Sequence, residues 1–193
     1  LENIVYVTIS TGIGGGAIVD GHLLLGKDGN AHEVGHIVVD KDGLLECGCG
    51  KRGHWEAYCS GSGMVKYAGL LLKEWNVDPN KSSLKRYFQE DFSKATSKMI
   101  FDAAKEGDEL ALRIIEKIGL LNAIGFANII NAYDPELITV GGSVALFNSE
   151  LILDPVKKNV SKYAMNRLPD IKITPLGEDV VLYGALAAAL EQV

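Results

Sequence analysis

Between His36 and His54 the sequence sets two cysteines and two histidines in a stretch threaded with glycine: His36, Cys47-Gly48-Cys49-Gly50 and His54. Two thiolates and two imidazoles make a closed tetrahedral set for zinc, with bonds of about 2.0–2.3 Å. Cys47 and Cys49 are too close in sequence for an ordinary disulfide loop, whereas a glycine-flanked knuckle lets both sulfurs reach one ion. Leu44 to Gly53 reads as a glycine- and cysteine-rich loop, and from Trp55 the period turns helical. The same residues could instead be small core thiols and surface imidazoles; the spacing favours the metal reading, with zinc as a structural ion. Cys59 falls in a helical stretch and reads as a buried, inert thiol.

Three cysteines is an odd number, which argues for a reducing compartment, here the cytoplasm, over a disulfide framework. The net charge of -6 and the absence of a Lys/Arg block speak against a nucleic-acid face. The longest apolar run, Leu110 to Tyr133, is interrupted by Arg113, Glu116 and Lys117, so no membrane span is expected. A chain of 193 residues with 47% hydrophobic content suits one domain with a substantial core. It opens on Leu1 with a strand-like run almost at once, and is expected to have been cut from something longer.

Ile4 to Ser10 reads as a strand, Thr11 to Gly16 as a glycine loop, Gly16 to Asp20 as a second strand and His22 to Leu25 as a third, with an Asp20-Gly21 hairpin turn. Ser62 is expected to cap a helix running to Trp75, followed by a short helix over Lys81–Gln89. Ser93 to Glu106 is amphipathic. Asp108 caps a long helix to Tyr133 whose inner face carries Leu112, Ile115, Gly119 and Ala123. Leu137 to Val140 reads as a buried strand closed by Gly141-Gly142. Asn148 to Met165 reads as a helix with Pro155 near its start, Ile171 to Thr174 as a strand, and Val180 to Leu190 as a final apolar helix. The order predicts a mixed α/β fold in one domain.

Three further features carry chemistry. Thr11-Gly12-Ile13-Gly14-Gly15-Gly16 directly follows a strand. Glycines let backbone N–H groups converge on a phosphate, and Thr11 adds a hydroxyl; a plain tight hairpin is the competing reading. The segment lacks the Gly-Lys-Ser/Thr ending of a Walker loop and is not followed by a helix. Glu33 and Glu56 bracket the Cys/His stretch, and paired carboxylates suit polyol hydroxyls; either alone would read as a solvated charge. Gly141-Gly142-Ser143 closes a buried strand, which marks either a ligand edge or a simple strand-to-helix turn.

Taken together, Thr11-Gly12-Ile13-Gly14-Gly15-Gly16-Ala17, Glu33-Val34-Gly35-His36, Cys47-Gly48-Cys49-Gly50-Lys51-Arg52-Gly53-His54-Trp55-Glu56, Asp134-Pro135-Glu136-Leu137-Ile138 with Gly141-Gly142, and Gly184-Ala185-Leu186-Ala187 resemble the ROK family of repressors, open reading frames and kinases. The resemblance covers nearly the whole chain. It implies the actin-like ATPase, ribonuclease H-like fold, with residues 1–193 as the carboxyl-terminal lobe, a mixed sheet flanked by helices. It implies ATP phosphates at Thr11, Gly12 and Gly14, the adenosine side at Gly141 and Gly142, and sugar hydroxyls on Glu33, His36 and Glu56. Zinc would be bound by His36, Cys47, Cys49 and His54, and magnesium would accompany ATP. His54 stands where the family usually has Cys, so Cys59 could compete with it as fourth ligand, and His32 stands where the family usually has a small residue.

The resemblance further implies a cytoplasmic, dimeric glucokinase-like enzyme that phosphorylates a hexose at the 6-hydroxyl. A sugar-sensing repressor of the same family is the alternative. The family's catalytic Asp lies in an Asn-Asp pair upstream of the glycine loop, so no catalytic residue is expected within this chain. The chain as written is expected to be inactive and to expose the apolar surface that faces the missing lobe.

Overall fold

Alternation of β-branched and half-exposed residues makes Ile4–Ile9 the central strand, β1, with Val5, Val7 and Ile9 turned into the core. The structure, a computed structural model, describes residues 1–88 and 91–191. β2 (Ile13–Val19) runs antiparallel to β1, and β3 (His22–Leu23) antiparallel to β2. The turn between β2 and β3 places Asp20 and Gly21 at φ of 51° and 75°, the conformation that fits a two-residue hairpin. β4 (Leu137–Gly141) lies parallel to β1 on its other side, and β5 (Asp170–Ile173) parallel to β4. The result is a five-stranded mixed sheet in the order β3-β2-β1-β4-β5.

Eight helices are described: α1 (Trp55–Cys59), α2 (Gly61–Glu74), α3 (Lys85–Phe88), α4 (Ser97–Lys105), α5 (Glu109–Tyr133), α6 (Ser143–Phe147), α7 (Ser149–Asn159) and α8 (Val180–Glu191). Asp108 caps α5 by accepting a hydrogen bond from the Ala111 N–H at 2.9 Å. Ile114, Ile118, Phe126, Ile129 and Ile130 of α5 share one core with Val5 and Val7 of β1 and Ile138 and Val140 of β4. Helix α7 packs against α5.

Several boundaries differ from the sequence reading. β2 begins at Ile13 instead of Gly16, because pairing with β1 in the register Ile9↔Ile13 holds the glycines extended despite their low strand propensity. The third strand is only His22–Leu23. The helix expected from Ser62 forms as α2 but starts at Gly61, and its cap is Ser60, whose Oγ accepts from the Gly63 N–H at 3.0 Å. Of the helix expected over Lys81–Gln89, only Lys85–Phe88 is α-helical, and Gln89 lies outside the described residues. The expected helix over Ser93–Glu106 resolves into a short 3-10 turn and α4, capped by Thr96. Leu112 is 39% exposed, and Ala111, Ile114, Ile115 and Ile118 take the buried face.

Pro155 sits inside α7. Helix α7 starts at Ser149, close to the expected Asn148, but ends at Asn159 instead of Met165, and the proline falls past its first turn, packed on Gly119 of α5. The apolar helix α8 forms as expected, but Val181, Leu182 and Leu190 are 72%, 68% and 75% exposed. Among the described residues, no helix is long and apolar enough to cross a membrane.

Candidate functional site

The segment after β3 carries the site. A 3-10 turn over Val34–His36 brings the His36 Nδ1 to 2.8 Å from the Glu33 Oε2. The chain then pairs back on itself through bridges between Val38 and His54 and between Glu46 and Arg52. Inside that ribbon Cys47 is buried and Cys49 exposed. The Cys49 Sγ lies 3.3 Å from the His54 Nδ1, and the His36 and His54 rings meet edge-on with centroids 5.2 Å apart.

His36, Cys47, Cys49 and His54 each offer a ligand atom, and all four atoms lie within 4.8 Å of one another. A zinc tetrahedron with bonds of about 2.0–2.3 Å spaces its ligands by about 3.3–3.8 Å, so small side-chain rotations suffice to seat one ion. With the His36 Nδ1 on Glu33, its Nε2 is the nitrogen left for a metal, and the carboxylate fixes the ring. Burial, followed by the neighbouring His36, holds the His54 pKa below its ordinary value, which favours the neutral, ligating imidazole. Burial pushes the Cys47 thiol up. Cys59 stands outside the group: it is fully buried and its thiol donates to the Ile118 carbonyl at 3.6 Å.

Residues with no role assigned from sequence hold this loop in place. The Tyr58 hydroxyl donates to the Asp40 carboxylate and accepts from the Leu45 N–H at 2.8 Å. Asp40 in turn accepts from the Asp42 and Leu44 N–H groups at 3.0 and 2.9 Å. Arg52 donates to the Gly43 and Leu44 carbonyls at 2.7 and 2.9 Å. The buried Trp55 indole donates to the Asn122 Oδ1 of α5 at 2.8 Å. An asparagine inside an otherwise apolar helical face was the one available hint to that last bond.

Glu56 leaves α1 toward the glycine turn between β1 and β2. Its Oε2 accepts from the Ile13 N–H at 2.8 Å, and its Oε1 faces the Cys47 thiol at 3.6 Å. Thr11 and Gly12 lie in that turn, and Gly14 lies one residue into β2. Gly141 ends β4 opposite Thr8, and Gly142 caps α6 at φ 84°. A side chain at Gly142 would strike the Ile9 carbonyl oxygen at 2.5 Å, so only glycine fits that corner. Beside Ser143, a cavity of about 420 Å³ opens between α4 and α6, lined by Phe101, Val144 and Phe147 with Ser97, Lys98 and Asn148.

The chain is similar to known proteins throughout its length. The model of the ROK family matches residues 1–192. A glucokinase of Pyrobaculum calidifontis is 39% identical over 189 residues, covering 98% of this chain and 58% of that protein. A xylose repressor of Bacillus spizizenii is 30% identical over 193 residues, covering 98% of this chain and 44% of the repressor. The solved ROK family glucokinase of Streptomyces griseus, in complex with glucose and AMPPNP, superposes with a TM-score of 0.80 at 32% identity, over 95% of this chain and 59% of that one. The chain thus spans little more than half the length of the glucokinases it matches. Its helix-flanked mixed sheet is the actin-like ATPase fold of those structures. The glycine turn, the Cys/His loop with its trailing Glu56 and the Gly141-Gly142 corner all sit within a match of that extent, and the chain belongs to the ROK family.

Proposed function

We propose that this chain is the carboxyl-terminal lobe of an ATP-dependent, glucokinase-like sugar kinase. The observation that carries the reading is the meeting of Glu56 with the glycine turn, at 2.8 Å from the Ile13 N–H. It places a carboxylate suited to sugar hydroxyls one residue from a turn suited to phosphate. Glu33 and His36 lie on the same loop and would hold further hydroxyls. Thr11, Gly12 and Gly14 would face the phosphates of Mg-ATP, and Gly141 and Gly142 would line the adenosine side, with the adjoining cavity taking the base. Glucokinases are prominent among the relatives, and the solved Streptomyces griseus glucokinase carries glucose and AMPPNP.

The chemistry is phosphoryl transfer to a hexose hydroxyl, the 6-hydroxyl by preference. The lobe's share is positioning: carboxylates and imidazole orient the ring, and the turn aligns the phosphates. The hydroxyl proton would pass to an Asp in the part of the protein beyond this chain. Zinc on His36, Cys47, Cys49 and His54 would brace the loop that carries Glu33 and Glu56 and take no part in the reaction. The exposed apolar face of α8 supports the lobe reading, since a helix apolar all round needs burial. The xylose repressor relative keeps a sugar-sensing role as the second reading; the glycine turn with Thr11 favours the kinase. An ADP-release assay on the complete protein with Mg-ATP and glucose tests it. Glucose-dependent ADP release is expected, and a folded protein that releases none with glucose or any related hexose refutes it.

A further inference from the structure

We infer that Glu56 is also a positioning residue for the glycine turn: its carboxylate clamps the Ile13 N–H and holds Thr11 and Gly12 in the conformation that receives phosphate. This role rests on the reading that the turn takes nucleotide phosphates, and it assigns to Glu56 a task distinct from holding sugar.

A turn built from Thr11 and Gly12 is soft by composition, because glycine samples more backbone conformations than any other residue. Within the turn, one bond runs from the Ser10 N–H to the Gly12 carbonyl at 2.9 Å. The β1–β2 ladder reaches the turn at Ile9↔Ile13, and further ties come from the segment Glu56–Ser62. The Gly61 N–H donates to the Ser10 carbonyl at 2.7 Å, and the Ser62 hydroxyl donates to the Thr11 carbonyl at 3.1 Å. The Glu56 Oε2 accepts from the Ile13 N–H at 2.8 Å. Only the last is charge-assisted, and such bonds are the strong ones.

The carboxylate also occupies space. A Cβ on Gly12 would stand 2.6 Å from the Glu56 Oε2, so glycine is required there for the carboxylate to lie over the turn. The other oxygen faces the Cys47 thiol at 3.6 Å, and the neighbours Trp55, Ala57 and Tyr58 are buried. These buried neighbours fix the direction in which the carboxylate leaves α1 toward the turn. A carboxylate so near a phosphate site would be a simple liability if it did nothing else. Its hydrogen bond gives it a purpose there, and separates two outcomes: loss of charge alone should help an anion bind, whereas loss of the clamp should hinder it.

The test uses the complete protein and Mg-ADP. Glu56→Gln keeps an acceptor for the Ile13 N–H and removes the charge; Glu56→Ala removes both. Calorimetry should show Mg-ADP affinity within about twofold of the parent for Gln and roughly tenfold weaker for Ala. The Ile13 amide, followed by NMR hydrogen exchange, should stay protected in the parent and in Gln and lose protection in Ala. Gly12→Ala gives a second route, since its methyl displaces the carboxylate. It should weaken Mg-ADP binding alone but cost little more in the Glu56→Ala background. Equal affinity in the parent and both Glu56 variants overturns the inference and leaves the nucleotide reading standing, as does tighter binding in both. A parent chain with a protected Ile13 amide that takes up no Mg-ADP refutes the nucleotide reading itself, and this role with it.

Discussion

Replacing Tyr58 with phenylalanine removes one oxygen from a side chain only 1% exposed. That oxygen makes two bonds, donating to the Asp40 carboxylate and accepting from the Leu45 N–H at 2.8 Å. The ring still fills its site, so no large cavity forms and the loss is confined to hydrogen bonding. A bond to a carboxylate is worth about 1.5–3 kcal/mol and a neutral one about 0.5–1.5 kcal/mol. Asp40 retains solvent contact, so its bond is taken at the low end, and the sum is about 2–3 kcal/mol. For a domain of this size each kcal/mol moves the melting midpoint by roughly 2–4 °C, giving a fall of roughly 5–10 °C. The damage is directed, because Asp40 and Leu45 open the strand of the loop that delivers Cys47. Chelator competition should therefore show weaker zinc binding in Tyr58→Phe, with a far-UV spectrum like the parent's. A midpoint within about 1 °C of the parent together with unchanged zinc affinity would refute the claim that this hydroxyl clasps the metal loop.

Elemental analysis of protein purified without added metal should find one zinc per chain; Cys49→Ser should abolish it and lower the melting midpoint, since such binding is coupled to folding. In the complete protein, Glu56→Gln should weaken glucose binding by roughly tenfold or more while nucleotide affinity stays within about twofold, and unchanged glucose affinity would remove Glu56 from the sugar site. Burial raises the Asp40 and Asp108 carboxyls, but hydrogen bonds outweigh it and hold both below the ordinary value, from Tyr58 for Asp40 and from Ser82 and Ser83 for Asp108. Depressed pKa values mean that this stability is present above about pH 4 and lost as the pH falls through the folded values, so Asp108→Asn should flatten the acid limb of a melting profile. The chain alone should release no ADP with glucose and should self-associate through α8, whose Val181 and Leu190 are 72% and 75% exposed; turnover near that of the complete protein would refute the two-lobe reading.

The elements most legible in the sequence are those whose signal is local. Alternating β-branched residues mark β1, and Asp108 ahead of a long apolar period marks α5. Legibility fails where tertiary pairing overrides composition. The glycines at the start of β2 carry no strand propensity and are held extended by the ladder to β1. Pro155 lies past the first turn of α7, where composition disfavours it, and it packs on Gly119 of α5, a contact that only the fold supplies. For α8 the pattern fixes a helix that is apolar on every side, but a pattern without a polar face names no partner.

The site divides in the same way. The Cys/His set is readable because its spacing is short and glycine-threaded, and the structure brings those four residues together. The bonds that make the set useful span distances in sequence that only the fold closes: 18 residues for Tyr58 and Asp40, 43 for Ile13 and Glu56, 67 for Trp55 and Asn122. All three pass through α1, a helix of five residues. Successive side chains on a helix diverge by about 100°, since one turn takes 3.6 residues. His54 at its cap can therefore face the metal group while Trp55 enters the core, Glu56 reaches the glycine turn and Tyr58 returns to the loop at Asp40. One short helix serves as the joint because its neighbours in sequence are not neighbours in direction. A change that rotates α1 should then disturb metal, turn and core together, whereas a change in any single side chain should disturb one of them first.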